Sequence, residues 1–283
     1  MRKVSVVILN YKVKDQAVKC VKSVQKSTYG NVDIIVVDNN SGDGLEKELE
    51  KLPDILFIQS GKNLGYTGGN NIGIKKALER DADYVFILNP DTTIEEDAIG
   101  NLVATAELEK AGIVGPKILF ADDKKDTIWY AGGILDLANV LGKHRGVDEK
   151  DKKQYDTIEE TEFVTGGAIF VRRDVFEKIG FFDDRYFMYL EDVDFCYRAK
   201  KAGFKVLYVP TAEVFHKNAQ SAGLGSPRQD YYLTRNRMLF ASKFLSLRTR
   251  FALLREAIRN LAIPARRLAL VDFLLGDLGK GNI

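Results

Sequence analysis

Short runs of valine, isoleucine and leucine alternate with segments of helical spacing along residues 1–120. The apolar runs predict strands at 4–9, 32–37, 55–59 and 84–88, and the segments between them predict helices at 15–26, 44–51, 67–80 and 95–110. Strands that are apolar on both faces are typical of a parallel sheet that helices cover on both sides. The pattern predicts an α/β fold with a doubly wound, mostly parallel central sheet and right-handed crossovers.

The pattern changes after residue 111. Glycine and β-forming residues are frequent in 112–146, which includes a charged loop at 122–126, and the polar stretch 147–161 predicts a mobile surface loop. The expected elements that follow are a strand at 162–171 interrupted by Gly166 and Gly167, a helix at 190–202 closed by Gly203, strands at 205–209 and 212–215, and helices over 231–275 with a break at Pro264. We therefore predict an α/β domain at 1–225 and a basic helical C-terminal region at 226–283.

Composition narrows the class of protein. The chain has 283 residues, of which 45% are hydrophobic and 29% charged, so it can bury a sizeable core. A formal net charge of +2 argues against a nucleic-acid-binding protein. The two cysteines cannot form a disulfide framework, and no apolar stretch approaches the roughly 20 residues of a membrane-spanning helix. We therefore expect a cytoplasmic protein.

Acidic residues follow two of the apolar runs. Asp38 follows the run 32–37, and Asp91 follows the run 84–88 after a turn made rigid by Pro90. Ligands of open α/β sheets bind at the carboxyl ends of the strands, so both carboxylates are candidate ligand contacts. Asp38 can accept a hydrogen bond from uracil, thymine or ribose, and Asp91 can hold a divalent cation on a diphosphate. Turn formation and helix capping are the alternative interpretations.

Residues 63–73, Asn-Leu-Gly-Tyr-Thr-Gly-Gly-Asn-Asn-Ile-Gly, place glycines before and inside a predicted helix. Glycine lets the backbone approach a ligand closely, and a helix N-terminus favours an anion. The spacing is not the dinucleotide-binding fingerprint and does not follow the first strand, so a dinucleotide-binding fold is disfavoured. Close packing of the helix against the sheet is an alternative that is compatible with a ligand-binding role.

Three carboxylates, those of Glu191, Asp192 and Asp194, lie at the start of the predicted helix 190–202 among apolar and aromatic residues. Stabilisation by the helix dipole is the simpler interpretation. Burial would also raise the pKa of at least one carboxyl group, which would make it a better base for an acceptor hydroxyl near neutral pH. His216, one of two histidines, follows a predicted strand and is a candidate metal or phosphate contact, with a structural role as the alternative.

Together these motifs resemble the inverting glycosyltransferases of family 2, which have the GT-A fold, from about residue 4 to about residue 240. The matching segments are 5–11, 37–41, 63–73, 88–91, 165–168 with Arg172 and Arg173, 180–183, 191–194 and His216. The Asn-Pro-Asp sequence at 89–91 and the segment 189–198, Tyr-Leu-Glu-Asp-Val-Asp-Phe-Cys-Tyr-Arg, are most similar to the rhamnosyltransferase branch. The resemblance makes 1–225 the nucleotide-sugar-binding and catalytic domain.

The resemblance implies a role for each motif. The implied catalytic base is Asp192, with Glu191 as the second candidate; the implied ligands of a Mg²⁺ or Mn²⁺ ion are Asp91 and His216; the region where sugar and acceptor meet contains Thr165, Gly166 and Gly167. The implied donor contacts are Asn10, Tyr11, Asp38, Asn40, Asn63, Gly65, Gly69, Asn70, Asn89 and Arg235. One departure is that Asn89 replaces the first acid of the family's Asp-x-Asp motif, which leaves one carboxylate fewer for the metal.

The implied reaction is a single displacement with inversion at the anomeric carbon. It would move rhamnose from dTDP-rhamnose to a hydroxyl of a glycan or lipid-linked acceptor in cell-surface polysaccharide synthesis. The alternatives are a UDP-sugar-dependent transferase of hexose or N-acetylhexosamine, and a catalytically inactive module that binds sugar nucleotides. A nucleotidyltransferase is disfavoured, because the first strand is followed by Asn10-Tyr11-Lys12 and not by a glycine-rich basic loop.

The C-terminal region is basic. Between residues 235 and 270 the chain has nine lysines or arginines and one acid, Glu256, interleaved with leucine and phenylalanine. Basic amphipathic helices are typical of contact with a membrane surface, here the inner face of the cell membrane. A helix packed on the α/β domain with a solvated basic face, or a homodimer interface, is the alternative.

Overall fold

The structure is a computed structural model that describes residues 1–121, 126–217 and 225–283. The charged loop predicted at 122–126 therefore lies almost entirely outside the described residues. The strands are β1 (Val4–Asn10), β2 (Val32–Asp38), β3 (Ile55–Gln59), β4 (Tyr84–Leu88), β5 (Thr92–Ile94), β6 (Ile113–Phe120), β7 (Ile128–Tyr130), β8 (Gly133–Asp136), β9 (Leu141–His144), β10 (Glu159–Glu160), β11 (Ala168–Arg172) and β12 (Val206–His216). The helices are α1 (Lys14–Gln25), α2 (Leu45–Leu49), α3 (Gly65–Glu79), α4 (Ala98–Glu109), α5 (Arg173–Ile179), α6 (Glu191–Lys201), α7 (Pro227–Phe244), α8 (Leu247–Arg259) and α9 (Pro264–Leu275).

A ten-stranded sheet forms the centre, with the main strand order β10-β12-β6-β11-β4-β1-β2-β3. The strands β3, β2, β1 and β4 are parallel neighbours, as their apolar runs predicted. β11 then lies antiparallel between β4 and β6, and β12 returns parallel to β6. A separate hairpin is formed by β8 and β9. The carboxyl ends of β1, β2 and β4 share one edge of the sheet, where open α/β sheets bind ligands.

Several predicted boundaries are wrong. The predicted strand 162–171 is regular only at Ala168–Arg172, and the predicted helix 95–110 begins at Ala98. Residues Thr92–Ile94 before that helix form a strand, because they pair antiparallel with the end of β12. The two strands predicted at 205–209 and 212–215 form the single strand β12, which has a register shift between Val209 and Glu213.

The polar stretch 147–161 is a surface loop with a buried anchor. The side chain of Lys117 on β6 is 3% exposed, and its Nζ lies 3.0 Å from Asp151 and 2.7 Å from Asp156 in this loop. A buried ammonium group without these carboxylates would be costly, so the loop must stay closed over β6. Near its end, Glu159–Glu160 form the edge strand β10, which pairs antiparallel with β12.

Three helices form the C-terminal region, and the predicted break at Pro264 is confirmed as the first position of α9. Met238, Leu239 and Phe240 of α7 belong to the same buried cluster as Val85 and Ile87 of β4, so the region packs against the α/β core. The boundary at residue 225 stays a prediction. Within residues 1–121, 126–217 and 225–283, no helix combines the length and the apolar character needed to cross a membrane.

Candidate active site

The first two strand ends meet at the ligand-binding edge of the sheet. Asn10 ends β1 and Asp38 ends β2, and the two residues are partners in the parallel register. The amide Nδ2 of Asn10 donates to Asp38 Oδ1 at 2.7 Å, and it also reaches the side chains of Ser41 and Asp43 at 3.1 Å. This contact fixes two of the predicted donor residues relative to each other.

Hydrogen bonds hold Asp38 in its ionised form. Its Oδ2 accepts from the backbone N–H of Ser41 at 2.9 Å and from Gln59 Nε2 at 3.0 Å. Burial alone would raise the pKa of Asp38, but the bonds from Ser41, Gln59 and Asn10 outweigh it and lower the pKa below its ordinary value. Asp38 is therefore a fixed anionic acceptor near neutral pH.

Asn39, which the sequence analysis treated only as part of a turn, connects this edge to α3. Its Nδ2 donates to Asn63 Oδ1 at 3.1 Å and to the carbonyl of Gly65 at 3.0 Å. Asn63 in turn bonds the hydroxyl of Tyr11, which lowers the pKa of that exposed phenol. Asn39 is buried, so both its N–H donors and its oxygen acceptor need partners, and it links two parts of the site. The sequence does not show this burial.

The glycines of the 63–73 segment mostly serve packing. Gly65 has a positive φ of 74°, and a Cβ at Gly69 would lie 2.4 Å from Leu9 Cδ1 on β1. The structure thus favours helix–sheet packing for Gly69. Asn70 is fully buried with its Oδ1 lacking a partner among the described residues, whereas Asn40 is exposed with a φ of 61°.

Pairing between β5 and β12 brings Asp91 and His216 together. His216 is the register partner of Thr92, so its Nε2 lies 3.3 Å from Asp91 Oδ1. Both side chains are buried, and Trp129 stacks on the His216 ring with centroids 4.5 Å apart. Neither ring nitrogen of His216 has a hydrogen-bond partner within the described residues. A buried, unbonded nitrogen beside a carboxylate oxygen fits a divalent cation.

A divalent ion at this point would need further ligands. The described residues contain no group of three or more His, Cys, Asp or Glu side chains placed to hold a metal. Asp91 and His216 would therefore supply two ligands, and the remaining positions would go to diphosphate oxygens and water, as is usual for Mg²⁺.

Gly166 and Gly167 join the separate parts of the site. The backbone N–H of Asn89 donates to the carbonyl of Gly167 at 2.9 Å, which ties this turn to the end of β4. The Tyr66 hydroxyl of α3 donates to the carbonyl of Gly166 at 2.5 Å. The N–H of Gly166 donates to Asp192 Oδ2 at 2.8 Å. A Cβ at Gly166 would lie 2.7 Å from the Tyr66 hydroxyl, so a side chain here would displace Tyr66 and disturb its hydrogen bond to the Gly166 carbonyl.

The neighbouring carboxyl groups of Glu191 and Asp192 have different environments. Burial raises the pKa of Asp192, although the backbone N–H groups of Gly166 and Val193 bond its carboxylate and act in the opposite direction. Burial and the charge of Asp192 raise the pKa of Glu191 well above its ordinary value, and its Oε2 has no partner among the described residues. We infer that near neutral pH the pair carries one negative charge, on Asp192.

The segment before this pair has an unusual backbone. Phe187, Tyr189 and Leu190 have positive φ angles of 63°, 68° and 68°. Such angles in non-glycine residues cost of order 1–3 kcal/mol each and persist only where neighbours enforce them. Asn236 of α7, absent from the sequence-based candidates, provides this enforcement. Its Nδ2 donates at 2.8–3.0 Å to the carbonyl oxygens of Tyr186, Met188 and Tyr189.

The prediction that Arg235 contacts the donor is not supported by its position. Arg235 is fully buried, and its guanidinium group donates to the carbonyl oxygens of Arg185 and Tyr186 at 3.2 and 3.1 Å. It also bonds Asn236 and the Tyr231 hydroxyl. Arg235 therefore supports the same segment as Asn236. The sequence showed its charge but not the helix packing that covers it.

The comparison with known families identifies the class of protein. Residues 5–180 match the model of Glycosyl transferase family 2. The chain belongs to glycosyltransferase family 2. It is 28% identical over 252 residues to the low-salt glycan biosynthesis hexosyltransferase Agl10 of Haloferax volcanii, covering 86% of this chain and 76% of that protein.

Two similar relatives carry rhamnosyltransferase names. The N-acetylglucosaminyl-diphospho-decaprenol L-rhamnosyltransferase of Mycobacterium tuberculosis is 31% identical over 238 residues, covering 77% of each chain. The dTDP-rhamnosyl transferase RfbF of Shigella flexneri is 27% identical over 222 residues, covering 75% of this chain and 72% of that protein. The similarity to the rhamnosyltransferase branch is thus confirmed.

The fold is that of the GT-A glycosyltransferases. The crystal structure of GalNAc-T7 with UDP, GalNAc and Mn²⁺ superposes with a TM-score of 0.64 at 20% identity. The superposed region covers 77% of this chain and 44% of the GalNAc-T7 chain.

Proposed function

We propose that this glycosyltransferase moves rhamnose, with inversion, from dTDP-rhamnose to a hydroxyl of a glycan or lipid-linked acceptor in cell-surface polysaccharide synthesis. The observation that carries the proposal is the junction at Gly166 and Gly167. It lies in hydrogen-bond contact with Asp192 on one side and with Asn89 of the Asp91 turn on the other. A candidate base and a candidate diphosphate site are therefore linked by one rigid turn.

Asp192 would act as the general base. Burial raises its pKa, which makes it a stronger base than an exposed aspartate, and two backbone N–H groups favour its charged form. It would remove the proton of the acceptor hydroxyl while that oxygen attacks the anomeric carbon from the face opposite the diphosphate. Glu191, protonated in the same environment, would leave the charge of the pair at one.

The donor would lie along the carboxyl edge of the sheet. Asp38, held ionised by its neighbours, would accept hydrogen bonds from the base or ribose, and the exposed Tyr11 ring would cover the nucleoside. Asp91 and His216 would hold a Mg²⁺ or Mn²⁺ ion, which when bound would neutralise charge on the leaving diphosphate. Rhamnose as the sugar is supported by the names of the M. tuberculosis and S. flexneri relatives.

Thermal stabilisation and donor turnover test the proposal together. We expect dTDP-rhamnose to raise the Tm in the presence of Mg²⁺ or Mn²⁺, by an amount that corresponds to about 2.7 kcal/mol at a hundredfold excess over Kd. We also expect slow release of dTDP, which an acceptor extract accelerates. His216→Ala should reduce the metal-dependent part of the Tm shift and leave the metal-independent part.

The possible results separate the alternatives. A response to UDP-sugars in place of dTDP-rhamnose would overturn the donor and keep the transferase. Binding without turnover under any condition would favour a sugar-nucleotide-binding module. Absence of a shift with every sugar nucleotide would remove the donor site assigned to Asp38 and Asp91.

A further inference from the structure

The solvent-facing side of α8 carries an apolar row. Leu247, Phe251 and Ile258 are 66%, 66% and 51% exposed. Their spacings of four and seven residues place them along one face of the helix. The opposite face, with Leu253 and Ala257, is buried against the rest of the chain. The packing of α8 against the rest of the chain therefore does not use the apolar row.

An arginine row runs beside the apolar row. Arg248, Arg255 and Arg259 are exposed and have the same helical spacing, displaced by about one residue. None of the three takes part in an ion pair within the described part of the chain. The single acid of α8, Glu256, is bound by Arg237 of α7 at 2.9 Å. The exposed face of α8 is consequently apolar on one side and purely cationic on the other.

We propose that this face of α8 binds the surface of an anionic lipid bilayer. Single exposed apolar residues are common, but several of them along one helix face indicate an interaction surface. A helix that lies in a membrane interface has apolar residues that enter the acyl boundary and cations that meet the lipid phosphates. The apolar row and the arginine row supply these two components on adjacent sides.

Charge favours a bilayer over a second copy of this chain. A symmetric dimer through the same face would bring the two arginine rows close together, and the face has no acid to compensate them. An anionic surface instead satisfies every arginine of the row. The exposed turn after α8 adds Leu261 and Ile263, which are 38% exposed each.

The position of α8 connects the bilayer surface to the catalytic segment. Arg237, which binds Glu256 of α8, is the chain neighbour of Asn236, which holds the segment before Asp192. Lipid binding would thus hold the active site at a fixed position relative to the bilayer. The use of this arrangement for a lipid-linked acceptor rests on the proposed function, whereas the surface itself does not.

Vesicle flotation with the full chain tests the surface. The vesicles contain phosphatidylcholine alone or phosphatidylcholine with phosphatidylglycerol. One variant removes the apolar row (Phe251→Ser with Ile258→Ser) and another the arginine row (Arg255→Gln with Arg259→Gln). The matched controls are Leu108→Ser, which changes a 78% exposed leucine of α4, and Lys19→Gln with Lys26→Gln, which removes two exposed cations of the α1 region.

We expect the unmodified chain to bind only the anionic vesicles and to dissociate as salt rises. Each row variant should bind at least about tenfold more weakly, and the controls should bind normally. The Tm shift with sugar nucleotide should stay unchanged in all variants, so failure of the donor site would be seen separately. Absence of vesicle binding, or equal binding by the row variants, would overturn the proposal. If the unmodified chain forms a dimer and binds no vesicles, and the row variants lose the dimer, the face binds a second copy of this chain and the proposal is overturned.

Discussion

At the scale of single residues, the adjacent acids Glu191 and Asp192 differ because of their hydrogen bonds. Two backbone N–H groups bond Asp192, and one oxygen of Glu191 is buried without a partner among the described residues. Like charges this close cannot both be ionised at low cost, so the proton goes to the less solvated group. This division supports the proposal that Asp192 is the base and that Glu191 is neutral and fills space beside it.

Replacement of these two residues should therefore have unequal effects on activity. Asp192→Asn should lower kcat by about 10²–10⁴-fold, the usual contribution of a general base, and leave the sugar-nucleotide Tm shift intact. Glu191→Gln should keep activity within about tenfold, because glutamine replaces a neutral group of the same shape. Steady-state kinetics of both variants is the measurement. The reverse order of effects would transfer the role of base to Glu191.

The pH profile provides a second check on the same assignment. Because burial raises the pKa of Asp192, the acid limb of kcat/KM should lie above the ordinary range of an aspartate, and activity should fall as pH drops through it. Glu191→Gln should leave that limb nearly in place. A large downward move of the limb in this variant would mean that Glu191 is charged in the native enzyme.

The positions that the sequence predicts best are those of residues that follow apolar runs. Asp38 and Asp91 lie at the strand ends because β2 and β4 are encoded locally by continuous runs of apolar residues. The contact between Asp91 and His216 required the pairing of β5 with β12, and these strands are more than a hundred residues apart in the chain. No local pattern encodes such a pairing, and the sequence identifies Thr92 and Thr93 only as possible caps of the predicted helix 95–110.

At the scale of elements, the segment 187–190 depends on α7. Its positive φ angles aim the N-terminus of α6, and thereby Asp192, at the turn that contains Gly166. Asn236 compensates the strained backbone by sharing the two N–H groups of its amide among three carbonyl oxygens. The element that positions the candidate base is thus a helix from the C-terminal region. The sequence placed Arg235 of this helix at the donor, and it gave no sign that Asn236 supports the segment 187–190.

Asn236→Ala should loosen this segment and lower activity more than it lowers stability. Arg235 still bonds the Tyr186 carbonyl in this variant, whereas the carbonyl oxygens of Met188 and Tyr189 lose the Asn236 amide. We expect a loss of about 1–3 kcal/mol and at least a tenfold lower kcat, with KM for the donor little changed. The matched control is Asn260→Ala, at the residue that follows α8, whose Nδ2 bonds the carbonyl of Glu256 within the described residues. Thermal unfolding and the separation of kcat from KM are the measurements. A fall in Tm with unaltered kcat would reduce Asn236 to a purely structural residue.

At the scale of the whole molecule, Lys243 connects the C-terminal helices to the catalytic region. Its Nζ lies 2.7 Å from Asp183 Oδ2 and also contacts Asp194, which is fully buried on α6. Asp194 is further bonded by Arg198 and the Tyr186 hydroxyl. This network includes Tyr186, whose carbonyl oxygen also accepts from Asn236, so it adjoins the strained segment. Its loss should therefore affect the packing of α7 on the core and the start of α6 together.

Lys243→Met should destabilise the protein by about 3 kcal/mol. This value is at the low end of the cost of removing one partner of a buried ion pair, because Arg198 still pairs with Asp194 in the variant.

The pH dependence of stability should change as well. Burial opposes ionisation of Asp183, but Arg185 and Lys243 together lower its pKa well below the usual range. Its contribution to stability is therefore present above the ordinary aspartate pKa and is lost as pH falls through the lowered value.

Without Lys243 the pKa of Asp183 rises towards its ordinary value, so acid unfolding should begin at a higher pH in the variant. Chemical denaturation between about pH 3 and 8 measures both effects, and the gap between the two proteins should narrow as pH falls. Lys201→Met on α6 is the control, since this exposed lysine contacts Tyr197 and Phe244 but has no carboxylate partner within the described residues. Equal acid profiles for Lys243→Met and the unmodified chain would show that the ion pairs of Lys243 contribute nothing measurable to the stability of the protein.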